Sequence, residues 1–487
     1  MTCKQIALLL LITSGAILVH GYHPAVEDGE IYLPGIKKAL NPTLYPAGEE
    51  FFMSHARMTL FDQVVAGSIR ISHVPFDYAI FLWHFACVFL LLWGCWRVGR
   101  KCFNHAWAPW GGTALVAALL TIPVAGTALY IMDPYLTTRD LSTAGILVAV
   151  ANAVERKFLR CGIWLALAAL IHPLMPVFGI ALCAILYFEE RRLALPVKRP
   201  MAGTGLALFF PVVFSMRAAS PAYQRALDTR SYFFLLRWKW YEWLGIFAPL
   251  AILWFISRYG KKRGLRELEA LSRALIVFGL IFFAAALILT VPRRFASLAL
   301  LQPMRSLHLI FTLMFVLLGG LLVESFLKRC LWRWLVFAPV CLGMFLVQRQ
   351  LCPATEHLEL PGLTPHNEWV QAFDWIRYNT PRDAVFALDP QYMVLPGEDQ
   401  HGFRALAERS RLADAVKDSG AVSMFPLLAD RWLKEVQAQQ DWKNFQLSDF
   451  QRLRRDYGVS WVVLQQPGVA GLPCPYRNPA VQVCRVD

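Results

Sequence analysis

Long apolar stretches, separated by short polar segments, follow one another from residue 5 to residue 348. A helix needs about 20 mostly apolar residues to cross about 30 Å of hydrocarbon. About eleven stretches are candidates, near 5–21, 76–96, 112–132, 141–155, 160–172, 174–189, 202–216, 242–257, 273–291, 306–325 and 334–348. The pattern predicts an α-helical polytopic membrane protein.

The distribution of Lys and Arg agrees with this count. Each span moves the chain to the other side of the membrane, and basic residues collect in cytoplasmic loops. With a cytoplasmic N-terminus, the basic clusters all fall in predicted cytoplasmic loops, at 97–101, 156–160, 191–199, 258–266 and 328–333. An odd number of spans then places the C-terminus outside the cytoplasm, and we expect a bacterial inner membrane with a periplasmic C-terminal domain.

The first apolar stretch has two interpretations. It follows Met1 and Lys4, either as a cleaved signal peptide or as an uncleaved signal anchor. Val19, His20 and Gly21 fit a small-x-small cleavage site poorly, which favours the anchor. In both cases the segment after it, 22–75, faces the outside.

Two segments outside the spans have enough apolar residues to fold. Segment 22–75 is longer than an ordinary loop, and its apolar positions predict short helices along the membrane surface. The C-terminal part, 349–487, alternates helix and strand patterns and is expected to form a small α/β domain, whereas 1–348 is the transmembrane domain. Predicted helices lie at 367–378, 403–418, 424–440 and 448–457, and predicted strands at 384–388, 460–465 and 480–485.

Composition excludes several classes of protein. The chain is 57% hydrophobic and 17% charged, with 17 Trp and 33 Phe, which does not fit a cytosolic enzyme, a disulfide-rich miniprotein or a disordered tail. A net charge of +14 in a soluble protein would indicate nucleic acid as a partner. Here membrane topology explains most of the positive charge. We expect membrane lipids as partners and no nucleic acid.

The 11 cysteines divide between compartments. Most lie in spans or at their cytoplasmic ends, where a thiol acts as a small apolar group. Cys474 and Cys484 flank a turn before the last predicted strand, and we expect a disulfide between them in an oxidising compartment. Cys352 is left unpaired. No Cys and His spacing typical of a metal site occurs.

Motifs of soluble enzymes are absent, including the P-loop, GxGxxG, HExxH and GxSxG. The informative cluster is Glu27, Asp28 and Glu30, just after the first span. Three carboxylates this close repel one another and raise at least one pKa unless a cation or a donor holds them, which is typical of a site. The alternative is a solvated acidic turn at the start of a helix.

Further polar residues lie at the predicted outer ends of spans, where charges tend to face a cavity or a polar ligand. Arg139 and Asp140 can instead form a local ion pair that caps the next helix. Arg293 and Arg294 can instead extend to the lipid headgroups. His172 can be a turn residue whose imidazole hydrogen-bonds a nearby carbonyl. Arg305 lies in an apolar stretch and predicts a partner, either a carboxylate or a phosphate.

The order of these segments resembles the GT-C superfamily of membrane glycosyltransferases. Locally, several stretches are similar to a bacterial polytopic family with GT-C-like layout: EDGEIYLPGIKKALNPTLYP, RDLS at 139–142, IHPLMPVFG at 171–179 and LQPMR at 301–305. Those of the tail, similar to an outer domain of such enzymes, are FDWIRYNTPRDAVFALDP, AERS at 407–410 and DYGVSWVVL at 456–464. The likeness covers most of the chain through short motifs.

The resemblance implies transfer of a sugar from a polyprenyl-phosphate-type carrier, with an acidic residue of the first outer loop at the reaction centre. Asp28 matches that position, with Glu27 and Glu30 beside it. The Asp-Glu pair of protein mannosyltransferases and the Trp-Trp-Asp signature of oligosaccharyltransferases are absent, so the expected acceptor is a glycan or a lipid of the cell envelope.

The chemistry assigns roles to these residues. Asp28 is expected to be the general base in an inverting displacement, since an acceptor hydroxyl must lose its proton. Arg305, with Arg294 or Arg139, is expected to hold the phosphate leaving group, with His172 near it. No cofactor is required, although Mg²⁺ or Mn²⁺ between Glu27 or Glu30 and the phosphate is compatible with the residues.

Two other functions stay open. A transporter or flippase for an anionic or lipid-linked substrate also has ionisable residues in the membrane, but it predicts repeated halves with broken helices. A non-catalytic envelope assembly protein keeps the fold without needing the acidic loop. The glycosyltransferase hypothesis requires Asp28 and Arg305 to meet in one crevice.

Overall fold

The computed structural model describes residues 1–194, 220–328 and 330–486, and the candidate span at 202–216 lies outside them. Helices form most of the first part of the chain. They are α1 (Cys3–His20), α2 (Gly29–Leu40), α3 (Glu50–Ala56), α4 (Phe61–Ser72), α5 (Phe76–Cys102), α6 (Ala108–Ala118), α7 (Thr138–Val154), α8 (Phe158–Ile171), α9 (Met175–Ala194), α10 (Pro221–Asp228), α11 (Trp240–Arg263), α12 (Arg266–Thr290), α13 (Leu307–Leu322) and α14 (Phe337–Leu351).

Among the described residues, 6 helical segments are long and apolar enough to cross a membrane: Cys3–His20, Phe76–Cys102, Trp240–Arg263, Arg266–Thr290, Ser297–Leu327 and Trp332–Leu351. The predicted count of about eleven spans is therefore not confirmed. The candidates at 112–132 and 160–172 contain helices of only 11 and 14 residues. Helix α7, at the candidate span 141–155, has 17 residues.

Helix α7 lies at the centre of the bundle, and nearly all of its residues are buried. It contacts α5, α8 and α9. Glycines allow close approach, since a Cβ at Gly94 of α5 would lie 2.9 Å from the Cβ of Leu147 in α7. Gly111 of α6 meets Gly319 of α13 in the same way, because a Cβ at Gly111 would lie 2.5 Å from the Gly319 carbonyl oxygen. Small residues thus set the helix spacing.

The segment 22–75 forms the predicted short helices, α2, α3 and α4, whereas their place along a membrane surface stays a prediction. Its contacts with the C-terminal domain include buried hydrogen bonds. The Nζ of Lys37 donates to the carbonyl oxygen of Ala405 at 2.7 Å, and the hydroxyl of Tyr45 donates to that of Arg404 at 2.9 Å. These bonds join residues more than 350 positions apart, so the outer segment and the C-terminal domain pack as neighbours.

The C-terminal domain is a five-stranded sheet with helices. Its strands are β1 (Val385–Ala387), β2 (Ser410–Arg411), β3 (Trp461–Gln465), β4 (Tyr476–Arg477) and β5 (Val481–Arg485), in the order β2-β1-β3-β5-β4. Strand β1 pairs in parallel with β2 and β3, and β5 pairs antiparallel with β3 and β4. Its helices are α15 (Glu368–Asn379), α16 (Phe403–Ala407), α17 (Asp418–Met424), α18 (Ala429–Ala438) and α19 (Leu447–Tyr457).

Most predicted elements of this domain are present, with one clear error. The helix predicted over 403–418 ends at Ala407, and β2 follows it. Pairing with β1 explains the difference, because Ser410 lies opposite Val385 across the sheet. The disulfide between Cys474 and Cys484 is confirmed, and Cys352 is a buried free thiol.

Candidate functional site

A cavity of about 130 Å³ lies where the outer helices, the start of α7 and the C-terminal domain meet. This volume accommodates a group the size of several water molecules. Charged and polar side chains from distant parts of the chain line it: Asp28, Tyr32, His55, Arg139, His172, Arg230, Tyr232, Gln302, Arg305 and Lys417. The structure therefore brings together four of the residues singled out in the sequence, namely Asp28, Arg139, His172 and Arg305.

Asp28 is the N-cap residue of α2, yet its side chain makes no capping hydrogen bond. Instead Oδ1 accepts from the Nζ of Lys417 at 3.1 Å, and the same Nζ also bonds to Glu27. Burial alone raises the pKa of the Asp28 carboxyl, but Lys417 and then Arg139 lower it by more, and the net pKa lies well below its usual range. Asp28 is thus an ionised carboxylate that is 36% exposed at the cavity.

Arg139 is positioned by the beginning of α7. The side chain of Thr137 caps this helix by accepting from the backbone N–H of Asp140 at 3.2 Å. The Arg139 guanidinium is buried and forms an ion pair with Asp133, not with Asp140 as the local ion-pair interpretation supposed. Its charge is therefore largely balanced within the protein.

Arg305 lies in a short 3-10 turn, Pro303–Ser306, directly before α13. Gln302 adopts a left-handed conformation (φ 45°) that turns the chain into this segment. Among the described residues Arg305 forms no ion pair, and its Nε is buried without an acceptor. The carboxylate partner considered for Arg305 is thus not present in the described part of the chain, and a phosphate stays the remaining expectation.

His172 lies in a turn, as the alternative interpretation expected, and also lines the cavity, but its ring bonds to backbone N–H groups and not to a carbonyl. Its Nδ1 accepts from the backbone N–H groups of Leu174 and Met175, at 3.1 and 3.2 Å. An unprotonated Nδ1 leaves Nε2 as the N–H of the neutral ring. The side chain can therefore donate one hydrogen bond to a ligand while it holds the turn between α8 and α9.

Tyr32, one turn after Asp28 in α2, also reaches the cavity. Burial and the nearby Asp28 carboxylate raise its pKa to about 12, so the phenol stays protonated and acts as a donor. On α3, burial lowers the pKa of His55 to about 4, so the imidazole is neutral at physiological pH. These two residues add polarity to the cavity without adding charge.

Glu30 does not line the cavity. Its carboxylate is fully buried and accepts from Arg411 Nη2 at 2.8 Å, from Arg404 Nη1 at 3.4 Å and from the backbone N–H of Ala405 at 3.1 Å. Burial raises the pKa of Glu30, against the effect of both arginines. These contacts favour a structural role, joining the outer segment to the C-terminal domain, over the predicted catalytic role.

The residues near the acidic cluster do not fit the divalent cation that the sequence allowed. Glu27 is bonded through one oxygen to Lys417, and Glu30 to two arginines, so both carboxylates already have cationic partners. Across the described residues, no group of three or more His, Cys, Asp or Glu side chains is arranged to hold a metal ion. The side chain of Arg294 lies outside the described part of the structure.

Sequence reasoning missed two basic residues of the site, Lys417 and Arg230. Lys417 belongs to the polar C-terminal domain, and Arg230 to the turn after α10. Neither occurs in an apolar stretch or a recognisable motif, so no local signal distinguishes it from a solvated basic residue. Their place in the site depends on the docking of the C-terminal domain.

The fold and the cavity define a helical protein with candidate membrane helices, a small sheet domain and a charged cavity between them. A family model described as a domain of unknown function (DUF6798) matches residues 367–418, which belong to the C-terminal domain and include Lys417. No curated protein matches the chain.

Two solved structures of arabinofuranosyltransferase AftD from Mycobacteria, one of them a mutant, are similar to this chain at 15% identity, with TM-scores of 0.40 and 0.41. They cover 100% of this chain, which spans only 40% and 42% of their length. TM-scores this low do not establish a common fold.

Proposed function

We propose that this chain is a GT-C-type glycosyltransferase that moves a sugar, with inversion, from a polyprenyl-phosphate-type carrier to a glycan or lipid acceptor of the bacterial cell envelope. The observation that supports this most is the cavity in which one ionised carboxylate, Asp28, lies with the guanidinium groups of Arg139 and Arg305. The GT-C resemblance of the sequence agrees with this charge pattern. The reaction takes place at the outer face of the inner membrane.

In this reaction Asp28 is the general base. It removes the proton of the acceptor hydroxyl, while the hydroxyl oxygen forms a bond to the anomeric carbon. Because Lys417 keeps the Asp28 carboxylate ionised, the base is available at neutral pH. The 36% of the Asp28 side chain that remains exposed leaves room for the hydroxyl to approach.

The basic residues stabilise the leaving group. As the bond between the anomeric carbon and the phosphate oxygen breaks, its electron pair goes to the lipid phosphate, whose negative charge must be held. Arg305 has no carboxylate partner among the described residues, and His172 carries an N–H on Nε2. Both line the cavity with Asp28. The proposed mechanism needs no metal step.

The proposal is tested by replacing Asp28 with Asn in the native host and measuring the envelope glycans by mass spectrometry. We expect a lost or truncated glycan, because Asn keeps the size of the side chain but cannot take the proton. Asp62→Asn is the matched control, since Asp62 is a buried carboxyl of the same outer segment that does not line the cavity.

Unchanged glycans in the Asp28→Asn strain, with the protein folded and abundant, would rule out the catalytic role. The same result would favour the assembly protein. Accumulation of a complete lipid-linked sugar on the cytoplasmic side, with transfer intact in isolated membranes, would favour the flippase instead.

A further inference from the structure

Arg230 contacts the C-terminal domain on one side and lines the cavity on the other. Its Nη2 donates to the hydroxyl oxygen of Ser419 at 2.8 Å and to the carbonyl oxygen of Val416. Val416 directly precedes α17, and Ser419 lies in its first turn. The Nε of Arg230 is buried and has no acceptor among the described residues. The C-terminal domain therefore fixes the guanidinium and leaves a donor unused.

Gly420 makes this arrangement sterically feasible. A Cβ at this position would lie 2.7 Å from the Nη2 of Arg230, closer than a normal contact allows. The atom in the way is the far end of a flexible side chain, so an added methyl group would displace Arg230 and leave the backbone of α17 in place. The absence of a side chain at Gly420 thus determines where the Arg230 guanidinium can lie.

The charges of the cavity do not balance. Lys417 is paired with both Asp28 and Glu27, and Arg139 with Asp133. Arg230 and Arg305 form no ion pair among the described residues, and each has a buried Nε without an acceptor. A guanidinium in a partly buried site without an anion is unfavourable, since the desolvated charge is not compensated. Two such groups on one cavity favour an anionic ligand that accepts hydrogen bonds from both.

We propose that Arg230 and Arg305 together bind a phosphate group, and that the C-terminal domain builds this site by holding Arg230 through Val416, Ser419 and Gly420. The lipid phosphate released by the transfer is a monoester with about −1.5 to −2 charge at pH 7, and its oxygens can accept hydrogen bonds from both guanidinium groups. The inference rests on the proposed function for the source of the phosphate, a lipid carrier. The phosphate chemistry itself is independent of catalysis.

The experiment measures binding by the purified full-length protein in detergent. Inorganic phosphate, pyrophosphate and a short-chain polyprenyl phosphate are titrated separately, and the dissociation constant is read from intrinsic tryptophan fluorescence or a thermal shift. We expect the wild-type protein to bind the polyprenyl phosphate. If inorganic phosphate binds equally well, the site recognises the headgroup alone, and if it binds much more weakly, the lipid chain contributes; either result supports the site.

Arg230→Met is expected to weaken binding about 10- to 100-fold, because it removes charge-assisted hydrogen bonds. Gly420→Ala keeps every charge and is expected to weaken binding in the same direction by displacing Arg230. Gly67→Ala is the matched control, since a Cβ at Gly67 meets nothing within 4 Å. If Arg230→Met does not fold, Gly420→Ala still decides the question.

Wild-type affinity in both Arg230→Met and Gly420→Ala would overturn the inference, as would the absence of any phosphate binding by the wild-type protein. Failure of the proposed function gives a different result. In that case Asp28→Asn leaves the envelope glycans unchanged, while phosphate binding and its dependence on Arg230 persist.

Discussion

Glu30 provides the sharpest test of how the outer segment is held on the C-terminal domain. Its side chain is 0% exposed and accepts hydrogen bonds from Arg404, Arg411 and the backbone N–H of Ala405. Glu30→Ala removes all of these bonds and leaves a buried N–H without an acceptor. Removing one partner of a buried ion pair typically costs about 3–5 kcal/mol.

One effect reduces this cost. The cluster holds three carboxylates, Glu30, Asp414 and Asp418, against the two guanidinium groups of Arg404 and Arg411. The substitution therefore removes an excess negative charge, and both arginines keep an acidic partner. We expect a loss near the lower limit, about 3 kcal/mol, which lowers the docking equilibrium by a factor of about 100.

Limited proteolysis of the full-length protein in detergent measures this loss, with cleavage in the segment between α14 and α15, 353–366, quantified by mass spectrometry. The matched control is Glu50→Ala, because Glu50 also pairs across the same two parts of the chain, with Arg431, but the two side chains are 41% and 42% exposed. An exposed pair contributes at most about 1 kcal/mol. Equal cleavage rates in the two variants would refute the reasoning.

Three further outcomes follow from charged and covalent contacts. Lys417→Met removes the cation that lowers the pKa of Asp28, so the acidic limb of the pH–rate profile should move to higher pH by about one to three pH units, whereas Lys417→Arg should keep it. His401 Nε2 lies 3.2 Å from a carboxylate oxygen of Glu359. Burial lowers the pKa of His401, but the Glu359 carboxylate raises it by more, so the pKa lies above its usual value of 6.5. The stabilisation from this pair should be complete below about pH 6.5 and lost as the pH rises through the raised pKa, and thermal melts of His401→Gln should lack this dependence. Cys474→Ser opens the disulfide and should lower the stability of the C-terminal domain by about 3 kcal/mol on the chain-entropy model, measured by its melting temperature.

Local sequence predicted the elements that depend on local physics. Apolar length identified α1, α5, α11 and α12, because a span of hydrocarbon needs a fixed number of apolar residues. It did not identify which shorter apolar helices are covered by protein instead of lipid. Helix α7 is the example, since its neighbours bury almost all of it.

The error at β2 has a non-local cause. Residues 403–418 have a helical pattern over their first part, and α16 forms there. Ser410 and Arg411 become a strand only because β1, some 25 residues earlier, offers an open edge in parallel. Pairing between distant segments overrides local preference, and a single sequence does not contain that information in its periodicity.

Asp28 and Glu30 show the same difference between what the local sequence determines and what distant contacts determine. The sequence determined that Asp28 and Glu30 are close together just after the first apolar helix. Only the tertiary structure decided that Asp28 meets Lys417 at the cavity whereas Glu30 is buried against Arg404 and Arg411. Successive residues of a helix are turned by about 100°, so two positions at the start of α2 point to nearly opposite sides. Which side becomes the cavity depends on where the C-terminal domain docks, and that contact joins residues almost 400 positions apart.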